Sequence, residues 1–148
     1  MASSQKDIAT KLISLSENPT LEEVQQVFAN DMFATHAAGC AIAEASKGHA
    51  ICEMPLTDIH RNAQGNIMGG AIFTLCDFAL AIACNVGNST PATSVDHSIS
   101  FMRVTKGSKL IADANCDKPG SHLSFYTVIV KDDLGKEIAR MSATCYNK

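Results

Sequence analysis

The sequence predicts an α+β fold in which an antiparallel β-sheet wraps around one long central helix. Two observations lead to this prediction: residues 69–85 have the composition of a long apolar helix, and the chain beyond residue 85 alternates between strands and short turns. Short connections favour antiparallel neighbours. A helix that is apolar all round must be covered on most sides, and a sheet curled around it provides that cover.

Two helices are predicted before the sheet begins. Apolar residues at helical spacing indicate helices at Lys6–Ser14 and Leu21–Asn30. Thr20 and Glu23 have the spacing of a capping box, in which each side chain bonds the other residue's main-chain N–H. We therefore expect the second helix to begin directly after Thr20.

Five strands are predicted from alternating apolar residues. The first lies near residues 50–56, before the long helix, and a loop rich in turn formers follows it at 57–66. After the helix, Val95, Ile99 and Phe101 are expected on one face of a strand that ends near Val104. The remaining three strands are predicted at Leu110–Cys116, Leu123–Lys131 and Ile138–Tyr146. A glycine in each intervening turn supports these boundaries.

Composition and charge exclude several classes of function. Hydrophobic residues make up 46% of the 148 residues and charged residues 18%, which is typical of a globular domain. The net charge is −3 and no basic stripe is visible, so a nucleic-acid partner is not expected. Residues 67–84 carry one charge, but a central Asp costs roughly 2.5–3.5 kcal/mol in a bilayer, and we predict no membrane association.

Cysteine and histidine spacing argues against a metal site. None of the six cysteines forms a CxxC pair, and the five histidines lack metal-ligand spacing. The first residues are polar and lack the apolar segment of a secretory signal. We therefore expect reduced thiols, a cytoplasmic location and no bound metal.

Asp77 is the only charged residue on the long apolar helix. Of its helical neighbours Phe73, Thr74, Leu80 and Ala81, only Thr74 can form a hydrogen bond with it. A desolvated carboxylate is what a general base near neutral pH requires. A structural role, as a loop cap or as the partner of a basic side chain, is equally compatible with the sequence.

Gly69, Gly70 and Asn62 are candidates for binding a carbonyl oxygen. The glycines begin the helix, where free N–H groups and the positive end of the helix dipole could stabilise an oxyanion, or where they simply permit a tight turn. Asn62 could donate to the same oxygen or fix its loop through an Asx turn. Eight residues, about 12 Å of helix, separate Gly69 from Asp77. If both act on one substrate, they must come from different subunits of a homodimer.

Residues 60–77, HRNAQGNIMGGAIFTLCD, resemble the signature of the hotdog-fold acyl-CoA thioesterases, and in particular of the phenylacetate-pathway group. That group's pattern is H-x-N-x-x-G-x-x-H-G-G followed by a helix with Asp. The resemblance implies a hotdog domain at 36–148, with 1–35 as an N-terminal helical extension. It also implies cytoplasmic homodimers, often paired into tetramers, that hydrolyse acyl-CoA substrates with no cofactor.

The resemblance also assigns roles by position. It implies that Asp77 is the general base or nucleophile, that the Gly69 N–H of the opposite subunit polarises the thioester carbonyl, and that Asn62 helps to orient it. Ser94 matches a position that helps to hold the attacking water. Three further residues are predicted to contact the substrate: His60, Met68 and Gly70.

Met68 departs from the pattern, which has His before the glycine pair. A thioether cannot titrate or donate a hydrogen bond. The replacement of this histidine by Met68 favours an alternative function, that of a non-catalytic acyl-CoA binding or sensing protein. A dehydratase would need a histidine–carboxylate pair, and the sequence places none, because His97 is predicted to be a satisfied, partly buried histidine. Five basic residues are candidates for binding CoA phosphates: Arg61, Arg103, Lys106, Lys109 and Lys118.

Overall fold

The computed structural model describes residues 15–148, and the helix predicted at Lys6–Ser14 lies outside them. The described chain contains helices α1 (Leu21–Phe28) and α2 (Gly69–Asn85), with single turns of π-helix at Phe33–Ala37 and of 3-10 helix at Asp58–His60. Its strands are β1 (Ala41–Ser46), β2 (His49–Pro55), β3 (Ala92–Phe101), β4 (Lys109–Lys118), β5 (Leu123–Asp132) and β6 (Glu137–Asn147). All six strands belong to one antiparallel sheet in the order β1-β2-β4-β5-β6-β3.

Helix α1 begins and packs as its sequence predicts. The Thr20 hydroxyl accepts from the Glu23 N–H at 3.2 Å, and the Glu23 carboxylate accepts from the Thr20 N–H at 2.7 Å, which completes the capping box. Val24 is fully buried, and the Phe28 ring meets the Phe78 ring of α2 edge to face at 6.2 Å. The helix is therefore part of the main core.

Helix α2 contacts all six strands, so the prediction of a sheet around a long helix is confirmed. Nine of its residues are buried: Ile72, Leu75, Cys76, Phe78, Ala79, Leu80, Ile82, Ala83 and Cys84. As predicted, the cover extends over most sides of the helix and is incomplete in a single chain. Phe73, Asp77 and Ala81, spaced four residues apart on one helix face, keep part of their exposure. This stripe lies beside β3, the edge strand of the sheet in the described part of the chain.

Strand β3 contains a β-bulge that changes which side chains face α2. Ser94 pairs with Cys145, whereas Asp96 pairs with Thr144, so Val95 is an extra residue. Val95 is 60% exposed, and the prediction that it shares a face with Ile99 is wrong for this reason. The strand also ends at Phe101 rather than near Val104.

The sequence predicted five strands, and the sixth, β1, completes the sheet beside β2. All six cysteines are free thiols, and five of them are buried. Within residues 15–148, none of the helices is long and apolar enough to cross a membrane.

Candidate active site

The loop before α2 is fixed by the side-chain amide of Asn62. Its Oδ1 accepts from the main-chain N–H groups of Gln64 at 3.0 Å and Asn66 at 3.1 Å. Gly65 completes the turn with a φ of +79°, a conformation that glycine adopts without strain. Because Oδ1 is occupied by two donors, the Nδ2 group of Asn62 is left to donate outward. The Asx turn and a contact with a substrate are therefore compatible roles.

The first turn of α2 presents free main-chain donors. The Met68 carbonyl accepts from Ala71 N–H at 3.0 Å, but the N–H groups of Gly69 and Gly70 have no acceptor in the described chain. The absence of a side chain at Gly69 lets the Phe101 ring approach, since a Cβ there would lie 3.0 Å from it. A free N–H at a helix N-terminus is suited to a developing oxyanion.

Asn62 and Gly69 line the same cleft, which has a volume of about 420 Å³. That volume is within the range of small-molecule sites. The cleft is formed by Asn62, Asn66, Ile67, Gly69, Ile72, Phe101, Met102, Arg103, Val104 and Thr105. The structure therefore brings two of the three predicted catalytic residues together, while Asp77 is not part of this cleft.

The basic residues near the cleft differ in their availability. Arg61 donates to the Gly65 carbonyl at 2.8 Å, and Lys109 pairs with Glu53 at 3.0 Å, so both have protein partners. Arg103 lines the cleft itself. Of the five candidates for binding phosphate, Arg103 has the best position.

His60 is a structural histidine of the same loop. Its Nδ1 accepts from the Thr57 N–H at 2.9 Å, and its Nε2 donates to the Ala38 carbonyl at 2.7 Å. These partners fix the neutral ring with the proton on Nε2. The residue is 5% exposed, so only its ring edge can touch a bound molecule.

Met68 and Gly70 lie on the other side of the helix N-terminus, in a second cleft of about 270 Å³. Its walls are mostly apolar and comprise Phe33, Ala37, Ala38, Ile59, His60, Met68, Gly70, Ala71 and Thr74. The Met68 side chain is one of the exposed apolar groups at its edge. A cleft of this kind suits a hydrocarbon group rather than a charged one.

The Asp77 side chain keeps 51% of its exposure and lies within ion-pair distance of one histidine. Its Oδ1 lies 3.8 Å from Nε2 of His97 on β3. Thr74, the helical neighbour that could have bonded it, donates instead to the Gly70 carbonyl at 2.8 Å. The expectation of a desolvated carboxylate is not met within one chain.

His97 is the functional candidate that sequence reasoning missed. Its side chain is 14% exposed and its ring lies 5.2 Å from the Phe73 ring. The Nε2 atom is buried and has no hydrogen-bond partner among residues 15–148. The prediction of a partly buried histidine is confirmed, but the prediction that it is satisfied is wrong, because the Asp77 oxygen facing Nε2 lies 3.8 Å away, beyond hydrogen-bond distance. The contact with Asp77 is the histidine–carboxylate pair that the sequence did not place.

Two further polar residues belong to the surroundings of Asp77. Ser94 pairs with the buried Cys145, so its side chain faces α2 as His97 does. Asp31 follows α1; burial raises the pKa of its carboxyl, and the negative charge of Asp77 raises it further. In the described part of the chain, no group of three or more His, Cys, Asp or Glu residues could hold a metal ion.

Comparison with known structures identifies the fold. The chain superimposes on the PaaI protein from the phenylacetic acid degradation operon of E. coli with a TM-score of 0.75 at 24% identity, covering 87% of this chain and 96% of that one. It also superimposes on smu.793 of Streptococcus mutans, a structure bound to acetyl CoA, with a TM-score of 0.68 at 26% identity, covering 74% and 88%. The prediction of a hotdog fold is confirmed.

Sequence comparison identifies the family. The chain is 35% identical over 106 residues to a putative esterase of Archaeoglobus fulgidus, covering 71% of this chain and 68% of that protein. It is 34% identical over 103 residues to human acyl-coenzyme A thioesterase 13, covering 67% and 73%. Residues 64–139 match the sequence model of the thioesterase superfamily. The chain therefore belongs to the thioesterase superfamily and is a thioester hydrolase.

Proposed function

We propose that the protein hydrolyses acyl-CoA thioesters at a site shared by two subunits. One observation carries the proposal: the Gly69 N–H and the Asn62 amide line one cleft, whereas Asp77 lies elsewhere on the same helix. The helix is continuous from Gly69 to Asn85, so its rise keeps the two groups about 12 Å apart. Asp77 of one subunit would thus face the cleft of its partner.

The edge strand β3 supports a homodimer. Its outer side has no neighbouring strand among residues 15–148, and an unpaired edge favours pairing with another copy. Val95 on this strand and Met102 and Val104 just beyond it are large apolar residues exposed in the single chain. A dimer formed along β3 would cover these residues and the Asp77 stripe together. Pairing of such dimers into tetramers stays a prediction.

The chemistry needs few groups. In the proposed mechanism, Asp77 takes a proton from water as the oxygen attacks the thioester carbonyl, and the partner subunit's Gly69 N–H and Asn62 amide stabilise the oxyanion. Collapse of the intermediate breaks the C–S bond. A thiol with a pKa near 8.5 leaves as the thiolate without strong acid catalysis. We assign no cofactor to these steps.

The two clefts suggest how a CoA ester lies at the helix N-terminus. Arg103 would meet a CoA phosphate in the larger cleft, while the acyl group would enter the apolar cleft beside Met68 and Gly70. His60 would contact it only through its ring edge. The human relative, an acyl-coenzyme A thioesterase by name, supports this substrate class. Free thiols suit a reducing compartment, and the cytoplasm is the location we propose.

Non-catalytic binding is the rival function, and Met68 is the observation that favours it. Methionine supplies no polar hydrogen for the substrate carbonyl. A dehydratase is less well supported. The Asp77 and His97 side chains face each other at 3.8 Å, so they are directed at the same point and not at two separate substrate atoms. Dehydration needs an acid and a base at two different substrate atoms.

Subunit complementation tests the shared site directly. Asp77→Asn and Asn62→Asp would each abolish most thiol release from an acyl-CoA panel of short, medium, long and aryl esters. Refolded together, half of the dimers would be mixed, and each would hold one intact site, giving about a quarter of the wild-type rate. A site within one chain would give no recovery. If the wild type binds CoA esters but hydrolyses none of them, the proposed hydrolysis is wrong and non-catalytic binding is the function that remains.

A further inference from the structure

The geometry points to His97 as the positioning residue for Asp77, holding one carboxylate oxygen so that the other accepts the proton of the attacking water. This inference rests on the proposed function, because it assigns a partner to the proposed base. It concerns a residue outside the 60–77 motif and outside both clefts.

The first support is the environment of the imidazole. Nε2 is buried, has no hydrogen-bond partner among residues 15–148, and lies 3.8 Å from Asp77 Oδ1. A buried polar atom without a partner is destabilising, so a fold that keeps one needs a reason to do so. The distance is longer than a hydrogen bond, and the proposal requires the half-exposed Asp77 carboxylate to rotate toward Nε2 when the substrate binds.

The second support is that the ring is held in place. Phe73, one turn before Asp77 on α2, lies against the imidazole with the ring centroids 5.2 Å apart. On β3, His97 pairs with the buried Ala143, which directs its side chain toward the helix. The imidazole is thus held by packing, whereas the Asp77 side chain is half-exposed.

The third support is the lack of any other group in the described chain that holds Asp77. Thr74 donates to the Gly70 carbonyl, and the other acidic group near Asp77, Asp31, repels it. A base that rotates freely loses the alignment on which proton transfer depends. With its Nε2 proton donated to Oδ1, a neutral His97 would leave Oδ2 directed at the water. The histidine itself gains or loses no proton in this step.

Three substitutions separate positioning from packing. His97→Met keeps the volume but removes the donor, and we expect kcat to fall about tenfold to a hundredfold with KM changed less than about threefold. His97→Gln places an amide N–H near the Nε2 position and should keep kcat within about threefold of the wild type. Ile99→Val, on the same face of β3, is the matched control and should leave both constants unchanged.

A double-mutant cycle completes the test. In an Asp77→Asn background, His97→Met should cause no further loss, because the partner it positions is already absent. Equal losses for His97→Met and His97→Gln, or a full additional loss in the Asp77→Asn background, would show that the ring serves only packing. Full activity of His97→Met beside an inactive Asp77→Asn would overturn the inference and leave the proposed function standing.

An independent measurement keeps the inference testable if no thioester is hydrolysed. The ¹⁵N chemical shift of His97 Nε2 should report a protonated, hydrogen-bonded nitrogen in the wild type and should move in Asp77→Asn. An Nε2 signal that is identical in the two proteins would exclude the pair whatever the activity.

Discussion

The two functional regions of α2 are built in opposite ways. At its N-terminus, main-chain donors are free because the preceding loop satisfies its own polar groups, with Asn62 and His60 both bonded to main-chain atoms. In the middle of the helix, His97 Nε2 has no hydrogen-bond partner among residues 15–148, and the Asp77 carboxylate lies 3.8 Å from it. The first region is complete within one chain. In the proposed mechanism, the second becomes complete only with a substrate and a second subunit.

The largest expected effect is at the helix centre. Asp77→Asn removes the proposed base while keeping size and shape, and we expect kcat to fall by about a thousandfold or more. Asp113→Asn, on the outer side of β4 where its carboxylate pairs with His49, is the matched control and should retain activity. Thiol release gives the rate, and sedimentation shows whether the dimer persists. Unchanged turnover would remove Asp77 from the chemistry.

Asn62 tests the loop at the helix N-terminus, where one side chain has two roles. Asn62→Asp keeps an oxygen for the Gln64 and Asn66 N–H groups but loses the outward donor, so kcat should fall about a hundredfold with little change in Tm. Asn62→Ala loses both roles and should lower Tm as well. If the aspartate variant is fully active, the amide of Asn62 does not contact the substrate.

Gly69 tests the space in front of the free N–H. In Gly69→Ala the new Cβ lies 3.0 Å from the Phe101 ring, which must move within the cleft. We expect kcat/KM to fall about tenfold, since small displacements at a reacting centre are costly. The same change at Gly70 meets only the Met68 side chain, at 3.4 Å, and should cost less. Adding Phe101→Leu to Gly69→Ala should recover part of the loss.

Met68→His tests whether a side-chain hydrogen-bond donor before the first turn of α2 would increase activity. An imidazole there can donate a hydrogen bond, and one such bond corresponds to an increase in kcat of up to about tenfold. Because Met68 is 54% exposed, the substitution should leave Tm nearly unchanged. A rate equal to or below that of the wild type would mean that the main-chain donors suffice.

The smallest effect is expected at the far wall of the larger cleft. There the Thr105 hydroxyl donates to Asp132 at 2.9 Å. Burial alone would raise the pKa of Asp132, but hydrogen bonds from Lys136 N–H, Thr105 and Leu134 N–H outweigh it and lower the pKa. The resulting stabilisation is present above the unfolded pKa of about 3.9 and is lost as pH falls through the lower folded value.

Asp132→Asn removes this titration. Its free energy of unfolding should depend less on pH below about pH 4 than that of the wild type. KM should change by less than about threefold, since only the wall of the cleft is affected. Denaturant unfolding at several pH values measures the first effect. Parallel pH curves for the two proteins would show that Asp132 contributes nothing to acid sensitivity.

Much of the fold was predictable because long, strongly patterned segments carry clear signals. The predicted bounds of α2, Gly69 and Asn85, agree with the structure, and the predicted capping box at Thr20 is present. Strand β1 was missed because its sequence, AIAEAS, is rich in alanine, which has little preference for strands. The predicted roles of Gly69 and Asn62 rest on a local sequence motif, and the structure shows that both residues line the same cleft.

The Asp77–His97 contact could not be predicted in the same way. It joins a helix to a strand twenty residues further along the chain, and it depends on a single irregularity in that strand. Simple alternation placed Val95 on the same face as His97 and Ile99, whereas the bulge leaves Val95 exposed and keeps the other two on the face toward α2. The alternation of apolar and polar residues cannot locate a β-bulge when the residues that flank it are polar.

The bulge at Val95 has an electrostatic consequence. In a regular strand through Ser94, alternation would direct Asp96 at α2 and turn His97 to the outer surface. Asp77 would then face a like charge instead of an imidazole. One additional backbone residue thus decides the sign of the interaction at the centre of the helix, because deleting it would place Asp96 instead of His97 against Asp77 and exchange attraction for repulsion.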